Sequence, residues 1–291
     1  MKSLINKELN SSDKILKPDF NLKSGRELFA FYLQAKFRQI LVYDKHCKTP
    51  LFKNINHNFI DRFSRRLIDN PAKRLLIGIT GESASGKSTI CREIKKNIEK
   101  FSLPVSVLST DNYFNDISKE IKEYGGFDNL RDSGYDLDAP SSFQLDILKE
   151  DLTNLSNGQD IKAPMYLPNG TGISVPKAQD IESNKIIVVE GIATMYETVQ
   201  DVFDIKIYVE TNNDIRKQRF ISRACSERNQ DEENALKHWE YLINAGDKYV
   251  KPFRNQADII LDGNANLEYF ADILNYIYAV TNNYEKIPAE I

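Results

Sequence analysis

Leu75-Leu76-Ile77-Gly78-Ile79 runs into Gly81-Glu82-Ser83-Ala84-Ser85-Gly86-Lys87-Ser88, the most informative part of the sequence. A short apolar run of strand length meets a glycine-rich turn, and a helical stretch from Lys87 to Lys100 follows. Residues 81–88 fit the pattern GxxxxGK[ST] in the strand–turn–helix setting that the pattern requires. Its glycines let the backbone curl so that successive N–H groups converge on one anionic group, and the helix N-terminus adds its dipole. Lys87 would then bridge phosphates as a mobile point charge, and the Ser88 hydroxyl would ligate Mg²⁺. The bland alternative is a tight turn carrying a surface lysine. The flanking strand and helix argue against it, so Gly81, Glu82, Ser83, Ala84, Ser85, Gly86, Lys87, Ser88 and Thr89 are the candidate nucleotide-binding residues.

Working outward, buried-strand candidates recur at Val105–Ser109, Lys185–Val189, Ile205–Val209 and Ile259–Leu261, with helical segments between them. Strands alternating with helices predict a parallel sheet covered on both faces. The fold expected is α/β, a three-layer P-loop NTPase domain over residues 73–291 with a mainly parallel sheet. Residues 1–72 form an extension before it, mostly helical after about residue 24. Residues 1–22 are polar and aperiodic, a loosely packed lead-in. Ser24 stands three residues before Glu27, the spacing of a capping box, and opens an apolar-rich helix through Phe29, Leu33, Phe37, Ile40 and Leu41. A second helix is expected from about Asn58 to Ile68, with Phe59, Phe63 and Leu67 on one face, ended by Pro71. The extension could pack on the core, cover a sheet edge or mediate association, so homo-oligomer formation is left open.

Composition sets the outer limits. The chain has 291 residues, 41% of them hydrophobic and 28% charged, which suits one packed globular body with a charged surface. A formal net charge of -3 gives no bulk positive field toward nucleic acid or anionic lipid, so neither is expected as a partner. Three cysteines, Cys47, Cys91 and Cys225, are far apart and form no CxxC pair, which points to a reducing compartment without disulfides or a zinc site. The N-terminus lacks a signal peptide's apolar region, and no apolar run reaches the roughly 18–20 residues that span a bilayer. The cytoplasm is the expected location.

Chemistry at a bound triphosphate needs a carboxylate near the accepting hydroxyl and another acid near the metal. Asp111 follows the strand Val105–Ser109, and Glu190 follows Ile187-Val188-Val189, so both should lie at the carboxyl edge where doubly wound sheets bind ligands. Either could instead be an ordinary loop acid. Arg216, Arg219, Arg223 and Arg228 fall on an expected helix running into a polar loop, within a lid of about residues 212–232. Such arginines would neutralise charge in the transition state, although each alone could equally be a solvated surface cation. Tyr113, Phe114, Tyr135 and Tyr166 could stack on a base or sugar, or could simply belong to the core.

These residues resemble the uridine kinase and phosphoribulokinase group of P-loop kinases, over about residues 74–262. Ser109-Thr110-Asp111-Asn112-Tyr113-Phe114 looks like the family's DSFY-type segment, whose aspartate is the catalytic base. Asp138-Ala139-Pro140-Ser141-Ser142-Phe143 looks like its D-H-P-x-A-F element, whose aspartate holds ribose hydroxyls. Val189-Glu190-Gly191-Ile192 matches the strand-E-G element, with the glutamate near the metal. Asp214-Ile215-Arg216, Arg223 and Ser226-Glu227-Arg228 resemble the lid stretch. The run from His238 to Pro252 and then Ala257–Ile260 look like the closing helix and last strand.

The resemblance implies a kinase that transfers the γ-phosphate of ATP or GTP, with Mg²⁺, to a small-molecule hydroxyl. Asp111, Lys87, Arg223 and Arg228 would be catalytic. Asp138, Tyr166 and Tyr113 would bind the acceptor, and Ser88 with Glu190 would hold the metal. Uridine or cytidine is the leading acceptor. The departures concern that acceptor: Pro164-Met165-Tyr166-Leu167-Pro168-Asn169-Gly170-Thr171-Gly172 keeps only proline and tyrosine of the family's P-x-Y-D-F and following His and Arg. Two further lid arginines of the family fall on Phe220 and Gln230. A polyol or sugar acceptor, or a nucleotide-binding adaptor that has lost catalysis, are the alternatives this leaves.

Overall fold

The computed structural model describes residues 25–48, 50–56, 58–70, 73–99, 104–167, 170–227 and 230–265. The expected lead-in at residues 1–22, the cap at Ser24, the stop at Pro71 and the last residue of the expected helix, Lys100, lie outside them. Alternation of apolar runs with amphipathic stretches yields the three-layer α/β arrangement. Its sheet has six strands: β1 (Phe52–Ile55), β2 (Leu75–Thr80), β3 (Val105–Ser109), β6 (Ile186–Glu190), β7 (Ile205–Glu210) and β8 (Ile259–Asp262), in the order β1-β8-β7-β2-β6-β3. All neighbours run parallel except β1, which is antiparallel to β8. A separate antiparallel pair, β4 (Ile161–Tyr166) and β5 (Ser174–Ile181), stands apart from this sheet.

Every residue of β2 is buried, as a strand covered on both faces demands. Its alternate side chains feed two cores. Leu75, Ile77 and Ile79 pack with Ile90, Ile94 and Ile98 of α3 (Lys87–Glu99) and with Phe37, Phe59 and Phe63 of the N-terminal segment. Leu76 points the other way, to Leu148, Leu152 and Leu155 of α6 (Leu145–Ser156) and to Tyr196 and Phe203. Two short helices, α4 (Ser118–Tyr124) and α5 (Phe127–Asp132), precede α6. Beyond β7 the chain forms α7 (Asn213–Glu227) and α8 (Glu232–Tyr249), which pack on each other through Phe220, Ala224, Ala235 and Trp239.

The extension packs on the core and covers an edge. Its helices are α1 (Gly25–Lys45) and α2 (Phe59–Asp69). Between them lies β1, a strand the sequence did not announce, because only four residues form it and just two are apolar. Asp44 at the end of α1 fixes its entry, its carboxylate accepting from the N–H groups of Leu51 (2.8 Å) and Phe52 (3.0 Å). Arg66 of α2 ties the extension to the bottom of the sheet. Its guanidinium donates to Asp204 at 2.6 and 3.0 Å and to the carbonyl of Arg74 at 2.5 Å. Arg62 adds an ion pair to the buried Asp258. Pairing the buried Asp204 carboxylate gives it a charged partner while the chain closes the sheet, although Arg66 Nη1 is buried there without an acceptor.

Candidate active site

Register brings the chemistry to one edge. Glu190, the last residue of β6, lies opposite Ile79 on one side and Ser109 on the other. The turn at 81–86 leaves β2 and the Thr110–Tyr113 turn leaves β3 beside it. Two glycines make the approach feasible. At Gly81, with φ 148°, a Cβ would lie 2.4 Å from the carbonyl oxygen of Val209. At Gly191, with φ 133°, it would lie 1.9 Å from Thr110 Oγ1, so only glycine lets the ends of β6 and β3 close up. Ala84 also has positive φ, 59°, within the loop.

Inside that edge Lys87 Nζ donates to the carbonyls of Gly81 (2.7 Å) and Glu82 (3.1 Å). Burial pushes its ammonium pKa down, while the negative fields of Glu190, Asp111 and Asp138 push it back up. The charges of all three carboxylates therefore act on one lysine. Ser88 Oγ donates to Glu190 Oε2 at 3.3 Å, and Ser109 Oγ to Glu190 Oε1 at 3.4 Å. A serine hydroxyl beside a carboxylate is a hard-oxygen pair of the sort Mg²⁺ accepts when phosphates complete its shell. Among the described residues no group of three or more His, Cys, Asp or Glu could hold a metal ion without such outside ligands. Thr89, the next residue, is exposed in the first turn of α3.

The segment after α5 lies beside the turn that carries Asp111. Ser109 Oγ accepts from the Asp111 N–H at 3.3 Å, capping the turn that carries Asp111. Phe114 bridges to Phe143 and their rings lie 4.2 Å apart, which pins the 138–143 segment beside that turn. Burial, then the charges of Asp111 and Asp136, raise the Asp138 carboxyl to about 7, and Lys87 opposes them. Tyr196 donates its hydroxyl to the Asp138 carbonyl. Tyr166, at the end of β4, packs 5.2 Å from Phe114 and is half-buried; burial, Tyr135 and Asp116 push its hydroxyl up to about 12.

The structure does not bring Tyr113 to the cleft. It is fully buried, its hydroxyl donates to Asp151 of α6 at 2.7 Å, and it packs with Leu108, Leu148 and Leu152. The turn after β3 rotates Asp111 outward and Tyr113 inward, so a neighbour in sequence points into the core. The arginines expected on a lid also part company. Arg216, Phe220 and Ala224 are buried on the face of α7 that packs inward. Arg219 and Arg223 lie on the adjacent row; Arg219 reaches Asn264 Oδ1 at 2.9 Å, and Arg223 is exposed. Arg228 lies outside the described residues.

Arg216 is where sequence reasoning missed most. Its side chain is 0% exposed, and its Nη1 meets Glu82 Oε1 at 2.7 Å. Its Nε donates to the Ser83 carbonyl at 3.0 Å, and its guanidinium lies 5.3 Å from the Trp239 ring centroid. Glu82 thus holds its loop position through its side chain while its backbone stays in the turn. Lys251 approaches the same carboxylate at 3.8 Å, and a Cβ at Gly246 would lie 2.9 Å from it. The one hint in sequence was an acid inside the glycine-rich turn.

A phosphate-cradling loop between β2 and α3, with acids at the ends of the neighbouring parallel strands, defines a P-loop phosphotransferase. The chain belongs to the phosphoribulokinase / uridine kinase family, whose model matches residues 76–266, and it is an ATP-dependent small-molecule kinase. It is 31% identical over 204 residues to uridine kinase of Staphylococcus aureus (strain JH9), covering 68% of this chain and 92% of that one. It is 29% identical over 201 residues to uridine-cytidine kinase B of Dictyostelium discoideum, covering 68% of this chain and 79% of that one. A solved structure from Silicibacter sp. TM1040, provisionally described as a fructose transport system kinase, shares the fold. Its TM-score is 0.55 at 18% identity, over 69% of this chain and 95% of that one. The substrate class is a small molecule. Among the described residues no helix is long and apolar enough to cross a membrane.

Proposed function

We propose that the chain phosphorylates a hydroxyl of a neutral nucleoside, uridine or cytidine first, using ATP or GTP. The observation that carries this reading is the strand edge that sets Glu190 3.3 Å from Ser88 and 3.4 Å from Ser109, the residue that caps the Asp111 turn, where the charges of Asp111, Asp138 and Glu190 all act on Lys87. The names of the relatives, uridine kinase and uridine-cytidine kinase, supply the acceptor class.

In this reading the amides of residues 81–88 and Lys87 hold the triphosphate. Ser88 and Glu190 would hold Mg²⁺, which would neutralise phosphate charge when bound. Asp138 accepts hydrogen bonds from the acceptor's neighbouring hydroxyls. The acceptor hydroxyl loses its proton to the Asp111 carboxylate as its oxygen bonds the γ-phosphorus. The bond from that phosphorus to the bridging oxygen breaks, and the nucleoside diphosphate leaves with the electron pair. Arg223 and Arg228 would reach the transferring phosphoryl group from the lid at about 212–232.

Charge argues for a neutral acceptor. The charges of Asp111 and Asp136 act on Asp138 at this site, with Lys87 as the opposing cation. Nearby Lys162 is paired to Asp180 at 3.0 Å. A phosphorylated or carboxylated acceptor would meet that negative field without a matching cation. A neutral polyol meets the same requirement, and the altered residues at 164–172 favour keeping it as the second reading. Incubation with γ-labelled ATP, Mg²⁺ and a panel of nucleosides and polyols decides between them. Labelled product from uridine or cytidine supports the first reading, and product confined to polyols supports the second.

A further inference from the structure

The segment carrying Asp138 is held from the opposite side of the cleft by one tyrosine of α8. Tyr241 Oη donates to Asp136 Oδ1 at 2.9 Å and accepts from the Leu137 N–H at 3.2 Å. The Tyr135 carbonyl lies 3.2 Å from the same oxygen. A single hydroxyl therefore contacts all three residues that lead into Asp138. The Arg131 guanidinium stands 6.0 Å from the Tyr241 ring centroid and keeps the ring in place from α5. Burial and the Asp136 carboxylate hold the phenol protonated.

Without these bonds the segment would keep the Ser142 hydroxyl at 2.6 Å and the Ala139 N–H at 3.2 Å on the Asp136 carbonyl, Tyr196 on the Asp138 carbonyl, and the Tyr135 N–H on the Leu130 carbonyl at 3.3 Å. Lys248, also of α8, would remain 3.8 Å from the Asp136 carboxylate, a long and largely exposed contact. With the tyrosine oxygen gone, the Leu137 N–H would have to find water. The same helix packs on the donor side, where Trp239 sits on Arg216 and Gly246 on Glu82. One rigid element thus spans the phosphate loop and the acceptor segment.

We propose that Tyr241 is a positioning residue for the acceptor: through Asp136 and Leu137 it sets where Asp138 meets the acceptor hydroxyls. This rests on the reading of Asp138 given above. It predicts a selective defect, because the bonds of the Tyr241 hydroxyl go to residues 135–137.

The test compares the full chain with Tyr241→Phe and Asp138→Asn, using uridine with ATP and Mg²⁺, and follows hydrogen exchange at the Leu137 amide by NMR. Tyr241→Phe keeps the ring and loses only the oxygen, so the fold should survive. We expect its KM for uridine to rise about three- to tenfold, the worth of one or two hydrogen bonds. KM for ATP should stay within about twofold, and Leu137 exchange should quicken. Asp138→Asn should raise the uridine KM further. An unchanged uridine KM in Tyr241→Phe, with a raised one in Asp138→Asn, overturns the proposal and leaves the acceptor reading standing. No effect of Asp138→Asn overturns both. Equal rises in the two KM values would show a merely structural tyrosine and also overturn it. If uridine is not turned over by any form, the acceptor reading fails, and unchanged Leu137 exchange then overturns the positioning role by itself.

Discussion

Replacing Arg216 by methionine would show what holds the phosphate loop. The guanidinium is wholly enclosed, and the Glu82 side chain it pairs with is 9% exposed. Methionine keeps an apolar stem against Trp239 while removing the charge, the bond to the Ser83 carbonyl and the bond to Asn213 at 2.8 Å. Glu82 would be left with Lys251, which is 3.8 Å away, 41% exposed and already paired to Asp247. Stranding one partner of a buried pair costs about 3–5 kcal/mol. Lys251 offsets part of that, so we expect the lower end, about 3 kcal/mol. For a chain of this size that is roughly 6–12 °C in Tm. The double variant Glu82→Gln/Arg216→Met no longer buries an orphaned charge and should regain about half the loss. Urea unfolding reports it directly, because Trp239 is the sole tryptophan and sits on the clamp. The KM for ATP should rise in the single variant as the loop amides lose their fixed arrangement. A single variant within about 1 kcal/mol of the parent, or a double variant whose loss equals the two single losses added, would refute this account of the loop.

Acceptor binding should depend on pH through Asp138. Its carboxyl is raised to about 7, so below that it keeps its proton and accepts hydrogen bonds poorly, while above it is a carboxylate. Calorimetric titration with uridine should therefore show affinity rising from about pH 6 to about pH 8 and levelling off above. Asp111→Asn removes one of the charges that raise Asp138 and should move the midpoint lower; a midpoint that stays put would contradict the coupling. Arg66→Ala should destabilise the chain by about 2–3 kcal/mol, since it strips the charged partner from the buried Asp204. Both KM values should stay unchanged, because that clamp lies at the far end of the sheet from the phosphate loop; a raised KM for ATP would show that it does more than hold the extension.

Much of the fold was legible because its signals are local. The apolar runs at 75–79, 105–109, 205–209 and 259–261 each became strands, with ends moved by no more than a residue or so. Glu190 proved to be the last strand residue of β6, which the apolar run stopped short of predicting. The glycine loop needed only its spacing to be recognised. What stayed hidden depends on partners distant in sequence. β1 is a strand because β8 offers a free edge, and β4 and β5 pair with each other across the altered 164–172 segment. Tyr113 and Asp111 are two residues apart, yet a tight turn sends one to the core and leaves the other exposed. Arg216 reads as one of four surface arginines until α8 closes over it. Tyr241 had no motif at all, and only the fold puts its hydroxyl on residues more than a hundred positions earlier.

The central claim is that Asp111 takes the acceptor's proton at a triphosphate held by residues 81–88. Single-turnover transfer of γ-labelled phosphate from ATP to uridine, with Mg²⁺, in the parent chain and in Asp111→Asn, tests it most directly. The account predicts labelled uridine monophosphate from the parent, and from Asp111→Asn a rate lower by about 10²–10⁴-fold with ATP still bound normally. Transfer at the parental rate in Asp111→Asn would contradict it.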